Sequence, residues 1–157
     1  MITLTTRVHV DGLTGKEIID FMLRAGDFEY QHWWPGTHLQ YRLRRVPGDV
    51  GSVVFFDEYV GARRLRLKGV VLEAAPNRLA LQLKKGVALP AYLVMEMHDV
   101  EGGVDITHTI RAGFDGPLAV LDPLLRLYLS PRFQKDMDEH ATTEFRRLGK
   151  MLHPAWD

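Results

Sequence analysis

The chain contains no cysteine, so it has neither disulfides nor thiolate metal ligands, and any metal site must be built from His, Asp and Glu. It has no excess of either charge: 20 Lys and Arg stand against 20 Asp and Glu, a formal net charge of zero with His neutral. That balance offers no net basic field to recruit nucleic acid or anionic lipid, and there is no acidic tail. The expected partner is a small hydrophobic or aromatic ligand, with neither nucleic acid nor membrane. Long apolar runs are missing as well. The longest, around Val87 to Met95, is too short to cross a bilayer, and Met1 to Thr6 lack the basic and apolar regions of a secretory signal. A soluble, cytoplasmic protein is expected. With no repeat, low-complexity tract or linker, the 157 residues, 46% of them apolar, are expected to form one domain, residues 1–157, around a single core.

Hydrophobic periodicity supplies the elements. Thr3 to Val10 alternates like a strand and ends at Asp11-Gly12. Thr14 with Glu17 forms a capping-box signature, and Ile18, Phe21, Met22 and Ala25 carry a helical period up to Gly26. Phe28 to Trp34 reads as a second short helix closed by Pro35-Gly36. Six strands follow, at Thr37 to Val46, Ser52 to Val60, Arg63 to Glu73, Arg78 to Lys84, Tyr92 to Val100 and Val104 to Ala112. Pro47-Gly48-Asp49, Gly61, Pro76-Asn77, Gly86 to Pro90 and Gly102-Gly103 separate them, which makes an antiparallel meander. An irregular entry from Pro117 then leads to a long helix from about Pro131 to Leu152.

This order predicts an α+β chain with the helix-grip fold: a curved antiparallel sheet wrapped around a long C-terminal helix, with two short helices after the first strand. It resembles the START-like superfamily, which includes the pollen-allergen and polyketide-cyclase families, over the whole chain. Carriers, cyclases and hydrolases share that architecture, so it says little about activity.

The residues that could carry chemistry interrupt apolar rows. At roughly 100° per residue, Phe133, Met137, Ala141, Leu148 and Met151 share one side of the last helix, and His140 and Glu144 fall inside that sector. A buried carboxylate needs a partner, and a metal ion is one; a solvated i,i+4 pair is the other reading. Strand parity places Glu58 in a row with Val54, Phe56 and Val60, where it would bind metal or pair with Arg42 or Arg64. His108 shares a face with Val104, Ile106 and Ile110, as a core histidine or an acid/base. His38 is less clear, since Gln40 and Arg42 share its parity while Leu39, Tyr41 and Leu43 take the other. Glu96 and His98 leave their strand ambiguous, Leu93, Met95 and Met97 looking at least as core-like. Arg64, Arg66 and Lys68 read as a solvated face. Tyr30, Trp33 and Trp34 could pack the core or form a stacking wall for a flat ligand. Two imidazoles and two carboxylates, His38, Glu58, His140 and Glu144, make a plausible site for zinc, or for manganese or iron. Trp156 is a candidate interface residue.

Three stretches, His32-Trp33-Trp34-Pro35-Gly36-Thr37-His38, Asp57-Glu58-Tyr59-Val60-Gly61 and His140-Ala141-Thr142-Thr143-Glu144, resemble the metal-site pattern of the diacetylphloroglucinol and phloretin hydrolases. The resemblance implies a zinc-dependent carbon-carbon hydrolase of a small acylated aromatic or polyketide-like ketone. It makes His38, Glu58, His140 and Glu144 the metal ligands and gives His108 the acid/base role. A metal-free carrier or sensor, or a cyclase or dehydratase working through His108, are the alternatives.

Overall fold

The computed structural model describes residues 1–154; Trp156 lies outside the described residues. β1 (Ile2–Asp11) forms where the sequence alternates, and Leu4, Thr6, Val8 and Val10 all face inward. Gly12 turns the chain, and α1 (Gly15–Met22) starts from a reciprocal cap. The Glu17 N–H donates to Thr14 Oγ1 at 3.2 Å while the Thr14 N–H donates to Glu17 Oε2 at 2.8 Å. α2 (Asp27–Trp33) follows, with the Gly26 N–H held by Glu29 Oε2 at 3.0 Å.

The meander comprises β2 (His38–Arg44), β3 (Val53–Val60), β4 (Arg63–Ala75), β5 (Arg78–Lys85), β6 (Val87–Val100) and β7 (Gly103–Ala112). All pairings are antiparallel, and β1 joins the β7 edge, giving the order β1-β7-β6-β5-β4-β3-β2. Register slips at His38/Gln40, Val71/Glu73 and Gln82/Lys84 bend the sheet, as bulges do. The expected turn over Gly86 to Pro90 is shorter than the sequence suggests. Only Gly86, at φ +78, turns, and β6 already starts at Val87. Pro90, which has no N–H to give the ladder, falls within the slip between the Gln82–Tyr92 and Lys84–Ala88 pairings. In β6 it is Met95 and Met97 that are buried, with Glu96 and His98 outside, which settles the ambiguous parity.

After β7 a 3₁₀ turn (Gly116–Leu121) runs into α3 (Asp122–Tyr128), anchored by the Phe114 N–H on Asp122 Oδ1 at 2.8 Å. α4 (Pro131–Leu152) is capped by Ser130 Oγ, which accepts from the Phe133 N–H at 3.2 Å. Its Phe133, Met137, His140, Ala141, Phe145 and Leu148 are buried. Gln134 Nε2 donates to the Thr5 carbonyl and Thr6 Oγ1 to Asp138, so α4 is tied along β1. At its middle, Trp33 Nε1 donates to the Glu144 carbonyl at 2.7 Å, pinning α2 against it. No helix among the described residues is long and apolar enough to cross a membrane.

Candidate metal centre

The bulge at the start of β2 resolves the parity of His38. The extra residue between His38 and Gln40 puts both His38 and Tyr41 on the inner face, and they are 1% and 5% exposed. Upstream, Gly36 at φ +80 lets the Thr37 and His38 N–H groups both donate to the Trp34 carbonyl, at 3.1 and 2.9 Å. Glu58 lies directly across the β2–β3 ladder from His38. The arginine anticipated for Glu58 belongs to its neighbour. Asp57, on the opposite parity and buried, accepts from Arg64 Nε and Nη2 at 2.9 and 2.8 Å, with Arg66 Nε at 3.4 Å. Asp57 was not singled out in the sequence, although the alternating Arg64 and Arg66 on the adjacent strand were a signal for it.

α4 contributes His140 and Glu144 one turn apart, and the four side chains converge. One ligand atom from each of His38, Glu58, His140 and Glu144 lies within 4.8 Å of all the others. His38 Nε2 stands 3.4 Å from Glu58 Oε2 and 3.3 Å from Glu144 Oε1. His140 Nε2 stands 3.4 Å from Glu58 Oε2 and 3.6 Å from Glu144 Oε2. Charge-assisted hydrogen bonds would bring these atoms to about 2.7–2.9 Å. Ligands about 2.0–2.2 Å from one tetrahedral ion stand about 3.3–3.6 Å from each other. The four imidazole–carboxylate separations fall in the second range, with Glu144 turning one oxygen to each histidine.

Proton positions point the same way. His38 Nδ1 lies 3.1 Å from the Tyr30 carbonyl, which can only accept, so Nδ1 carries the ring proton. In the neutral ring Nε2 then aims a lone pair at two carboxylates, an arrangement that calls for a cation between them. Both Nε2 atoms are buried without a hydrogen-bond partner among the described residues. Neither Glu58 nor Glu144 has a Lys or Arg partner there. Burial disfavours charge on the His140 ring, but the Glu144 and Glu58 carboxylates and the Tyr59 backbone outweigh it and push its pKa up to about 9. Burial likewise opposes ionisation of Glu144, yet the His140 and His38 rings hold it below the usual carboxylate range. The donor set suits zinc, manganese or iron, with room in the valence of each carboxylate for a further contact.

The aromatic residues serve the histidines as much as any ligand. Tyr30 stacks on His38 with ring centres 4.0 Å apart, Trp33 meets the same ring edge-on at 4.7 Å, and Trp34 stacks on His140 at 5.0 Å. The Tyr30 hydroxyl also donates to Glu58 Oε2 at 2.9 Å, and burial beside the two glutamates raises its pKa. Tyr30 and Trp33 line a cavity in the cup of the sheet, walled by Phe56, Leu79, Leu81, Leu93 and Met95 and reaching Glu58, His140 and Glu144. About 90 Å³ of it admits the centre of a water molecule, where one water needs about 10–15 Å³. Trp34 lies elsewhere, in an outer groove shared by Tyr59, Asp136 and the other side of His140. His108 is on the cavity wall as its parity predicts, with a buried Nδ1 that has no hydrogen-bond partner among the described residues. Burial holds its pKa below the usual histidine value.

No protein-family model and no curated protein matches the chain, and nothing in these comparisons supports the resemblance to the hydrolases. Solved structures do match. A START-superfamily protein from Mycobacterium smegmatis superposes with a TM-score of 0.68 at 14% identity, over 96% of this chain and 98% of its own. The major latex-like protein 151 from Panax ginseng gives 0.55 at 14%, over 88% and 96%. The di-domain ARO/CYC protein BexL gives 0.53 at 16%, over 89% of this chain and 50% of BexL. At these identities the likeness carries architecture alone, and by architecture the chain has the START/Bet v 1 helix-grip fold.

Proposed function

We propose that the cavity binds a small hydrophobic or aromatic molecule beside a divalent metal ion held by His38, Glu58, His140 and Glu144, and that the protein hydrolyses a carbon-carbon bond of an acylated aromatic or polyketide-like ketone. The supporting observation is the convergence of the four side chains, with imidazole–carboxylate separations of 3.3, 3.4, 3.4 and 3.6 Å that are longer than charge-assisted hydrogen bonds and of the size a shared ion would set. Such an ion supplies Lewis acidity at an acyl carbonyl and makes water more acidic.

The chain's own groups do the rest. Tyr30 and Trp33 keep the imidazole of His38 oriented, and the aliphatic wall excludes bulk water from the ring of the ligand. His108, kept neutral by burial, takes a proton from the attacking water and returns one to the ring carbon as the bond to the acyl group breaks. Water is consumed, and a carboxylic acid and the deacylated ring leave.

A second reading has its own support. The solved neighbours include a START-superfamily protein and an ARO/CYC protein, and a mostly aliphatic cavity suits a metal-free carrier, sensor or polyketide cyclase equally well. His38 and His140 would then carry protons against the glutamates. Elemental analysis of protein purified without added metal or a metal-binding tag separates the two. About one zinc, manganese or iron per chain, lost in Glu144→Gln, is the expected result. Metal-free protein with an undisturbed fold, or Glu144→Gln that retains full metal, refutes the hydrolase reading and leaves the carrier or cyclase.

A further inference from the structure

The segment from Gly116 to Tyr128 departs from the usual burial of apolar residues. Leu118, Val120, Leu124 and Leu127 are 56%, 76%, 62% and 75% exposed, and Tyr128 is also exposed. Soluble monomers seldom leave a contiguous apolar face of this kind uncovered. The segment is fixed in place. The Met1 amino group pairs with Asp122 at 3.6 Å, and Arg63 donates to the Tyr128 carbonyl at 2.7 Å while lying 4.5 Å over its ring. These contacts set it at the end of the sheet where β1 and β4 begin and β5 and β7 finish. The exposed Val87 at the start of β6 belongs to the same end.

Exposed cations gather around the same end, with Asp115 the exposed acid that precedes the segment. Lys85, Arg111, Arg126, Arg132 and Lys135 are exposed around this end, and none has an ion-pair partner among the described residues. The opposite end is mixed, with exposed Asp11, Asp99, Glu101 and Asp105 beside exposed Lys16, Arg44, Arg45 and Lys150. The zero net charge of the sequence therefore conceals a molecule with a cationic, apolar end. A second copy joined across a twofold axis would set these cations against one another, whereas an anionic bilayer surface matches both features: acyl chains for the leucines and lipid phosphates for the ring of cations. Leu65, Leu93 and Ile110 of the cavity wall lie near the strand ends at this face, packed there with the buried Leu4, Val60, Phe133 and Met137.

We infer that the Gly116–Tyr128 face, ringed by Lys85, Arg111, Arg126, Arg132 and Lys135, docks peripherally on anionic membrane surfaces. The docking does not depend on metal or on hydrolysis. The test is co-sedimentation of the full chain with vesicles of phosphatidylcholine and phosphatidylglycerol in equal parts, against vesicles of phosphatidylcholine alone, at low and high salt. Binding to the anionic vesicles only, weakened by salt, is expected. Leu124→Asp with Leu127→Asp should abolish it, and because both side chains are exposed the circular dichroism and melting curve should stay as in the parent. Arg126→Gln and Lys135→Gln, which leave the apolar face intact, should each weaken partitioning about fivefold. No sedimentation with anionic vesicles, or sedimentation indifferent to the leucine and cation variants, overturns the inference. So does a dimer seen by light scattering that the leucine variants dissociate, or retention of a duplex oligonucleotide as strong as that of the vesicles.

Discussion

His38 turns Nδ1 to a backbone carbonyl and Nε2 to two acids, and the chemistry of the centre follows from that arrangement. The Tyr30 hydroxyl donates to Glu58 Oε2, the oxygen that faces both imidazoles. Partners of this sort orient a ligand, and their loss typically lowers metal affinity about 10–100-fold. Tyr30→Phe should therefore fold normally, keep its stacking on His38, and lose metal to a competing chelator in that range; unchanged affinity would remove the hydroxyl from the site. Metal bound only by the folded chain stabilises it by mass action, by about 4 kcal/mol when free metal exceeds its Kd about a thousandfold. For a chain of this length that corresponds to roughly 8–16 °C, so a melting curve with a strong chelator should shift down by that order, and one that does not move argues for a metal-free pocket. The residue types of this site were legible in the sequence, because His140 and Glu144 interrupt an apolar helical stripe and Glu58 an apolar strand row. His38 was not resolved by parity, because a single bulge residue inverts the alternation and nothing in the local sequence marks it.

Among the elements, α1 shows how far local signals reach. Its capping box was readable from Thr14 and Glu17 alone, and both reciprocal bonds form. Thr14→Ala should cost about 1 kcal/mol in urea unfolding. Burial raises the pKa of Glu17, but its bonds to Thr14 and its contact with His153, 2.6 Å away, lower it below the ordinary 4.5. The folded chain therefore favours the carboxylate. Its contribution is fully present above pH 4.5 and is lost as the pH falls through the lower folded value. Glu17→Gln should accordingly flatten the acid limb of a stability–pH curve, and an unaltered limb would assign that limb to other carboxylates. β3 shows where local signals stop. Asp57 and Glu58 are adjacent acids on opposite faces, one clamped outside by Arg64 and the other turned into the cup. Arg64 is half-exposed, so Asp57→Asn should cost roughly 1–2 kcal/mol rather than the several of a fully buried pair. A chemical denaturation midpoint unchanged from the parent would contradict the clamp. The start of β6 escaped the sequence because Gly86 to Pro90 carries turn residues, while a register slip across from β5 accommodates the proline as strand.

At the scale of the whole molecule the sheet, its bulges and α4 border a cavity that reaches Glu58, His140 and Glu144 of the cluster. Cavity and cluster should be separable: Leu79→Trp puts a large ring into the wall, and is expected to displace an apolar fluorescent probe while leaving the metal content at parent level. Its overpacking should cost about 1–3 kcal/mol of stability. Loss of metal and probe together would mean that the two are one structural unit. The order of strands and helices, and hence the helix grip, was determined by the sequence itself, because alternation, helical period, capping residues and glycine turns are local properties that survive in any part of the chain. The sequence also determined which side chains could chelate, by omitting cysteine and placing acids and imidazoles in apolar rows. Only the tertiary structure decided that His38 and Glu58 from paired strands meet His140 and Glu144 from a helix some hundred residues on, that Trp34 faces the outer groove rather than the cavity, and that Lys85, Arg111, Arg126, Arg132 and Lys135 gather around an exposed apolar segment. Such facts depend on which distant surfaces are brought into contact and how a bulge turns a strand, and distances between remote groups are fixed by packing rather than by the order of residues.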